Sequence, residues 1–170
     1  MRKLYLLLIL TVCMTGIVSA QDWATDKAAQ AEVKKLAFLV GEWRGSGWMM
    51  GVDRMKQSFE QTEHIHFKLD STAILDEFQR VLEDNTVHQS LNILTYKGED
   101  GLYDFQSFLP SGQKSTFKSE LKGKKLFWYP RDFIRYTIQL DDQGRLFEKG
   151  EINKGGNWYQ FSESILEKVN

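Results

Sequence analysis

The stretch LVGEWRGSGW, residues Leu39 to Trp48, places three glycines and two tryptophans within ten residues. It follows a helical pattern and precedes a long alternating run. In an extended chain successive side chains point to opposite faces, so Gly41, Trp43, Gly45, Gly47 and Met49 share one face. Inward-facing glycines let a strand bend sharply and let other groups approach its backbone. Trp43 then fills the space they leave. The stretch reads as the first strand of a small closed β-barrel, with Trp43 plugging one end.

Downstream, clusters of Gly, Pro, Asn, Asp and Ser break the chain at 51–53, 70–71, 84–85, 98–101, 110–112, 123, 130–132, 141–144 and 154–157. Between the breaks lie runs rich in Val, Ile, Phe, Tyr, Trp and Thr, which predict ten strands. Their ranges are 42–50, 54–69, 72–83, 86–97, 102–109, 113–122, 124–129, 133–140, 145–153 and 157–168. Short turns make sequential strands antiparallel neighbours. An up-and-down meander of this length exposes two edges unless it closes, so the expected fold is all-β, a closed antiparallel barrel spanning 41–170. Upstream, within 21–40, Thr25 or Asp26 can cap a helix carrying Ala29, Val33, Leu36, Ala37 and Val40 at helical spacing, with Gly41 ending it. One helix cannot cover an open ten-stranded sheet. It is expected to lid the barrel or pack on its wall, within a single domain.

The opening MRKLYLLLILTVCMTGIVSA has a basic start, an apolar run and the small-residue ending Val18-Ser19-Ala20. That order is the pattern of a secretory signal peptide, 1–20, and the apolar run is too short to span a bilayer. The expected address is therefore secreted or periplasmic, with no transmembrane segment after cleavage. Cys13, the sole cysteine, falls inside that segment and follows Val12 rather than the small residue that lipidation would want. Without thiols, the mature chain must be stabilised by its core. Removing Arg2 and Lys3 from the 22 basic residues leaves 20 against 23 acidic ones, a net charge of −3. This balance excludes a nucleic-acid or anionic-membrane partner held by bulk electrostatics.

Gly41-x-Trp43-x-Gly45 after a short helix resembles the first-strand signature of the calycin superfamily of lipocalins, fatty-acid-binding proteins and their relatives. More closely, LAFLVGEWRGSGWM, FEQTEHI, RYTIQLDDQGR and GGNWYQFSESILEKV resemble a secreted bacterial family of unknown function with a lipocalin-like barrel. Nitrobindin-like barrels are similar in their helix, glycine-tryptophan start and ten strands, and that resemblance implies haem held by a histidine near the C-terminus. This chain has no histidine after His88. No cofactor is expected by that route, and only Tyr136 or Tyr159 could ligate iron, as tyrosinate.

The second strand, RMKQSFEQTEHIHFKLD, is the most legible. Met55, Gln57, Phe59, Gln61, Glu63, Ile65, Phe67 and Leu69 form the apolar, inward face. Gln57, Gln61 and Glu63 interrupt it, and such groups are costly inside unless they meet partners, water or a ligand. His64 and His66 could chelate a metal, but they share the face of Lys56, Glu60 and Lys68 and read as surface imidazoles. In strand eight Ile134, Tyr136, Ile138 and Leu140 are placed inside and Arg135 outside; the reversed register would bury Arg135 as a cation able to pair with Glu63 or hold a ligand carboxylate. In the last strand Tyr159, Phe161, Glu163 and Ile165 are expected inside.

These residues point to a barrel that binds a small, mostly apolar molecule. Trp43 and Phe59 would form floor and wall, Gln61, Glu63 and Tyr136 would orient the ligand, and Tyr159 would add an aromatic contact. Two other readings compete. A filled barrel could serve as an envelope interaction protein, with Trp48 and Trp128 outward; a barrel enzyme could use Glu63 and Glu163. No G-x-S-x-G elbow or phosphate loop supports catalysis.

Overall fold

The computed structural model describes residues 24–83, 85–99 and 101–169; the segment read as a signal peptide lies outside the described residues. Helix α1 spans Lys27–Lys34. The strands are β1 Gly41–Met50, β2 Lys56–Lys68, β3 Ala73–Leu82, β4 Asn85–Tyr96, β5 Leu102–Phe108, β6 Lys114–Lys122, β7 Lys125–Arg131, β8 Ile134–Leu140, β9 Leu146–Lys154 and β10 Asn157–Lys168. Each pairs antiparallel with its sequence neighbour, and β10 returns to β1 to close the barrel. All ten expected strands form. No described helix is long and apolar enough to cross a membrane.

Asp26 caps α1, its side chain accepting from the backbone N–H groups of Ala28 and Ala29. The helix is shorter than its periodicity predicts. It stops at Lys34 and the chain resumes as a 3-10 turn, Ala37–Leu39. This break carries the chain across one end of the barrel, where the Trp43 indole donates to the Leu39 carbonyl at 2.7 Å. Val33, Leu36 and Leu39 descend from this cap onto Trp43, Ile65, Ile74, Leu94, Leu126, Leu146 and Leu166. Tyr103 fastens the cap from the wall, its hydroxyl donating to the Glu32 carbonyl at 3.0 Å. An apolar floor therefore closes this end, with Trp43 at its centre.

The glycines of β1 are explained by the neighbouring backbones. A Cβ on Gly45 would sit 2.1 Å from the Ile165 carbonyl oxygen, and one on Gly47 would sit 2.2 Å from the Glu163 carbonyl oxygen and 2.6 Å from the Phe59 ring. Only a strand without side chains at these points fits against β10 while Phe59 crosses it.

β10 departs from simple alternation. A bulge between Gln160 and Ser162 inserts one residue opposite β9, which shifts the parity of everything beyond it. Ser162, Ser164 and Leu166 are therefore buried, whereas Glu163 faces outward opposite Lys149 and accepts from Gln160. The inward placement of Glu163 and Ile165 is thus corrected. Tyr159, before the bulge, is 53% exposed at the strand's outer end, so its interior placement is corrected too. Phe161, at the bulge, does turn inward and meets the Tyr136 ring edge-on at 5.7 Å.

Candidate functional site

The interior above the apolar floor is hollow. A cavity of about 400 Å³ opens at the end opposite α1, with Met49, Val87, His88, Leu109 and Pro130 around its mouth. Its two sides differ in chemistry because the strands on each side alternate different residues inward.

On one side, β5 to β8 contribute Phe105, Phe117, Trp128 and Tyr136. Trp128 is sandwiched: Phe105 stacks at 4.7 Å and 5°, Tyr136 at 4.5 Å and 9°. Phe117 tilts against Trp128 at 5.4 Å. Rings stacked in this way cover one another's faces and leave their edges free. Aromatic edges carry partial positive charge.

On the other side, β3, β4 and β9 contribute Asp76, Arg80, Ser90, Asn92 and Glu148. Arg80 Nη2 donates to Gln61 Oε1 at 2.7 Å. Gln61 Nε2 donates in turn to Glu63 at 2.5 Å and Glu148 at 2.8 Å, and Ser164 donates to Glu148 at 3.1 Å. Asn92 donates to Asp76 Oδ2 at 2.9 Å. Asp76 Oδ1 is buried and has no hydrogen-bond partner. Low local dielectric makes such an orphan costly.

The carboxyls crowd one another. Burial, reinforced by the charges of Glu148 and Asp76, raises Glu63 well above the usual carboxylate range. Asp76 is pushed up to about 7, chiefly by burial, with Asn92 pulling the other way and Glu148 adding to the rise. Burial also lowers Arg80 and raises the Tyr136 phenol.

The residues singled out from sequence are therefore distributed over three levels. Tyr136 lines the cavity. Gln61 and Glu63 are buried, as β2 alternation predicts, but they lie behind Arg80 and Glu148 as a supporting layer. Phe59 is buried under the Arg80 guanidinium, 3.8 Å from its ring centre. Trp43 belongs to the floor, and Tyr159 to the exterior. The acid that partners Glu63 is Glu148, not Glu163. Trp128, left open toward the exterior by the sequence, faces in, while outward Trp48 is covered by the Lys56 ammonium at 3.5 Å. His64 is exposed, 3.9 Å from Glu42, and Arg135 pairs with Glu151 at 2.8 Å away from Glu63.

Asp76, Arg80 and Glu148 escaped the sequence reading. Their strands carry charges on both faces: Asp76 and Arg80 alternate with Glu77 and Gln79, and Glu148 with Lys149. Composition gives no inward side there. The register against β2 would have given it, since Gln61 pairs Arg80 and Ile65 pairs Asp76.

The donor set does not fit haem iron by the tyrosine route. Tyr136 is held as a stacked phenol with its pKa raised by burial, and Tyr159 is outside. Among the described residues no cluster of three His, Cys, Asp or Glu side chains is placed to hold a metal ion.

A closed ten-strand up-and-down barrel, lidded by one N-terminal helix and hollow above its floor, is a calycin-like barrel. Solved structures with this architecture align over most of the chain. Rv2717c from M. tuberculosis aligns at a TM-score of 0.61 and 14% identity, covering 86% of this chain and 100% of its own. The zebrafish ileal bile acid-binding protein, complexed with cholic acid, aligns at 0.50 and 16%, covering 78% and 99%. The S-type phycobiliprotein lyase CPES from Guillardia theta aligns at 0.50 and 10%, covering 85% and 99%. At these identities the likeness is one of fold. No family model and no curated protein sequence matches the chain.

Proposed function

We propose that this protein binds one small, mostly apolar molecule inside its barrel and does so outside the cytoplasm, as a secreted or periplasmic protein. The observation that carries the reading is the hollow of about 400 Å³ between a column of stacked aromatic rings and a polar wall. Ligand sites typically occupy about 300–1,000 Å³ and combine apolar lining with a few placed polar groups. A filled barrel working only through its surface would leave the buried carboxyl, amide and guanidinium groups without purpose. The zebrafish structural neighbour holds cholic acid, a precedent for cargo in a barrel of this shape. The address rests on the signal-like order of residues 1–20.

Native mass spectrometry of protein purified from its own host tests this reading. The expected spectrum shows the mature chain beginning near Gln21, with a mass increment of one small molecule. A bare chain that also captures nothing from an extract of the same cells would contradict it.

A further inference from the structure

The polar wall is lopsided. Glu63, Asp76 and Glu148 supply acidic groups, while Arg80 is the cation among them. Arg80 donates Nε and Nη2 to Gln61 Oε1 and lies over the Phe59 ring. An anionic headgroup would add a further acid to this wall. What Asp76 lacks is a donor: it lines the cavity, is 7% exposed, and leaves Oδ1 without a partner while Oδ2 accepts from Asn92. Opposite it, the edges of Phe105, Trp128 and Tyr136 present partial positive charge. Their natural complement is the face of a π system, met edge to face.

Resting on the reading of the cavity as a ligand site, we infer that its ligand is a flat neutral aromatic ring bearing a protonated amine, whose ammonium N–H bonds Asp76 Oδ1 while its electron-rich ring face lies against the Phe105–Trp128–Tyr136 edges. The groups facing Asp76 set how this bond responds to pH. Glu148 from β9 and Glu77 on its own strand disfavour its charge, Asn92 from β4 supports it, its own charge in turn raises Glu63 from β2, and Arg80 stands on the same face of β3. With Asp76 at about 7, a bound cation takes the place of the carboxyl proton, and that proton leaves to solvent.

The test uses calorimetric titration of the mature protein with three probes of one size: 9-(aminomethyl)anthracene as the cation, 9-anthracenemethanol as the neutral ring and 9-anthracenecarboxylate as the anion. At pH 8 the cation is expected to bind at least about tenfold more tightly than either other probe. Its affinity should fall about tenfold between pH 8 and pH 6, as Asp76 becomes protonated, while the neutral probe stays constant. Asp76→Asn should bring the cation down to the neutral probe's affinity; the pH series on the parent protein needs no variant. Equal affinities, or a preference for the anion, would overturn the cation while leaving the cavity as a site. If none of the three binds, both readings fall.

Discussion

Arg80 lies over Phe59, its guanidinium carbon 3.8 Å from the ring centre, and this contact joins the polar wall of the cavity to the glycine-lined first strand. Phe59 occupies the space that Gly47 leaves open. Arg80, so braced, reaches Gln61 and through it Glu63 and Glu148.

Replacing Arg80 with Met would leave Gln61 Oε1 unpaired and remove the cation from a cluster of buried acids. Breaking a buried charged network from one side costs about 3 kcal/mol or more. Urea unfolding of Arg80→Met at pH 7 is expected to show a loss of that order, shrinking at pH 5 as the carboxyls take up protons. A loss independent of pH would mean that Arg80 acts through packing alone.

The cavity acids also give the empty protein an unusual pH profile. Asp76 and Glu63 have folded-state pKa values above their unfolded ones, so the folded protein binds more protons. Their contribution to stability is fully present below about pH 4 and is lost as pH rises toward the folded pKa, about 7 for Asp76, at up to about 1.4 kcal/mol per pH unit for each group. The melting temperature of the ligand-free protein should therefore fall from pH 5 to pH 8. Asp76→Asn should flatten that slope and raise stability at pH 8.

Gly45→Ala and Gly47→Ala each force a Cβ against a backbone carbonyl oxygen, at 2.1 and 2.2 Å. Because the obstacle is backbone of a paired strand, it cannot rotate aside. Each variant is expected to lose about 2–3 kcal/mol in chemical denaturation. Ser46→Ala, on the exposed face between them, should stay within about 0.5 kcal/mol.

Trp128 is the centre of the aromatic column, and each stacked pair contributes about 0.5–1.5 kcal/mol beyond area burial. Trp128→Leu should abolish most of the near-ultraviolet circular dichroism of the column, cost about 2–3 kcal/mol, and weaken any flat ligand. An unchanged near-ultraviolet spectrum would contradict the stacking of Phe105, Trp128 and Tyr136.

The barrel was readable because β2 alternates cleanly and because turn residues punctuate every strand; Gln61 and Glu63 follow from that alternation alone. β10 departs from its pattern beyond Gln160, since a bulge adds a residue without any compositional mark and reverses the faces of Glu163 and Ile165, while Tyr159 lies before the bulge at the strand's exposed end. The acids and the cation that line the cavity stayed hidden for a different reason. Asp76, Arg80 and Glu148 lie on strands with polar residues on both faces, where burial is decided by pairing across the sheet rather than by the strand's own pattern. The local sequence names the supporting layer of the site, and the register supplies its lining.

The hollow interior can be tested most directly by filling it. Ser107 lines the cavity and pairs with Asn92 across β4 and β5, so Ser107→Trp should occupy the space while the barrel still melts cooperatively. Titration with 9-anthracenemethanol is expected to saturate at one probe per parent chain and to show no binding to the filled variant. Binding to a folded Ser107→Trp protein as tightly as to the parent would place the ligand outside the barrel and contradict the proposed function.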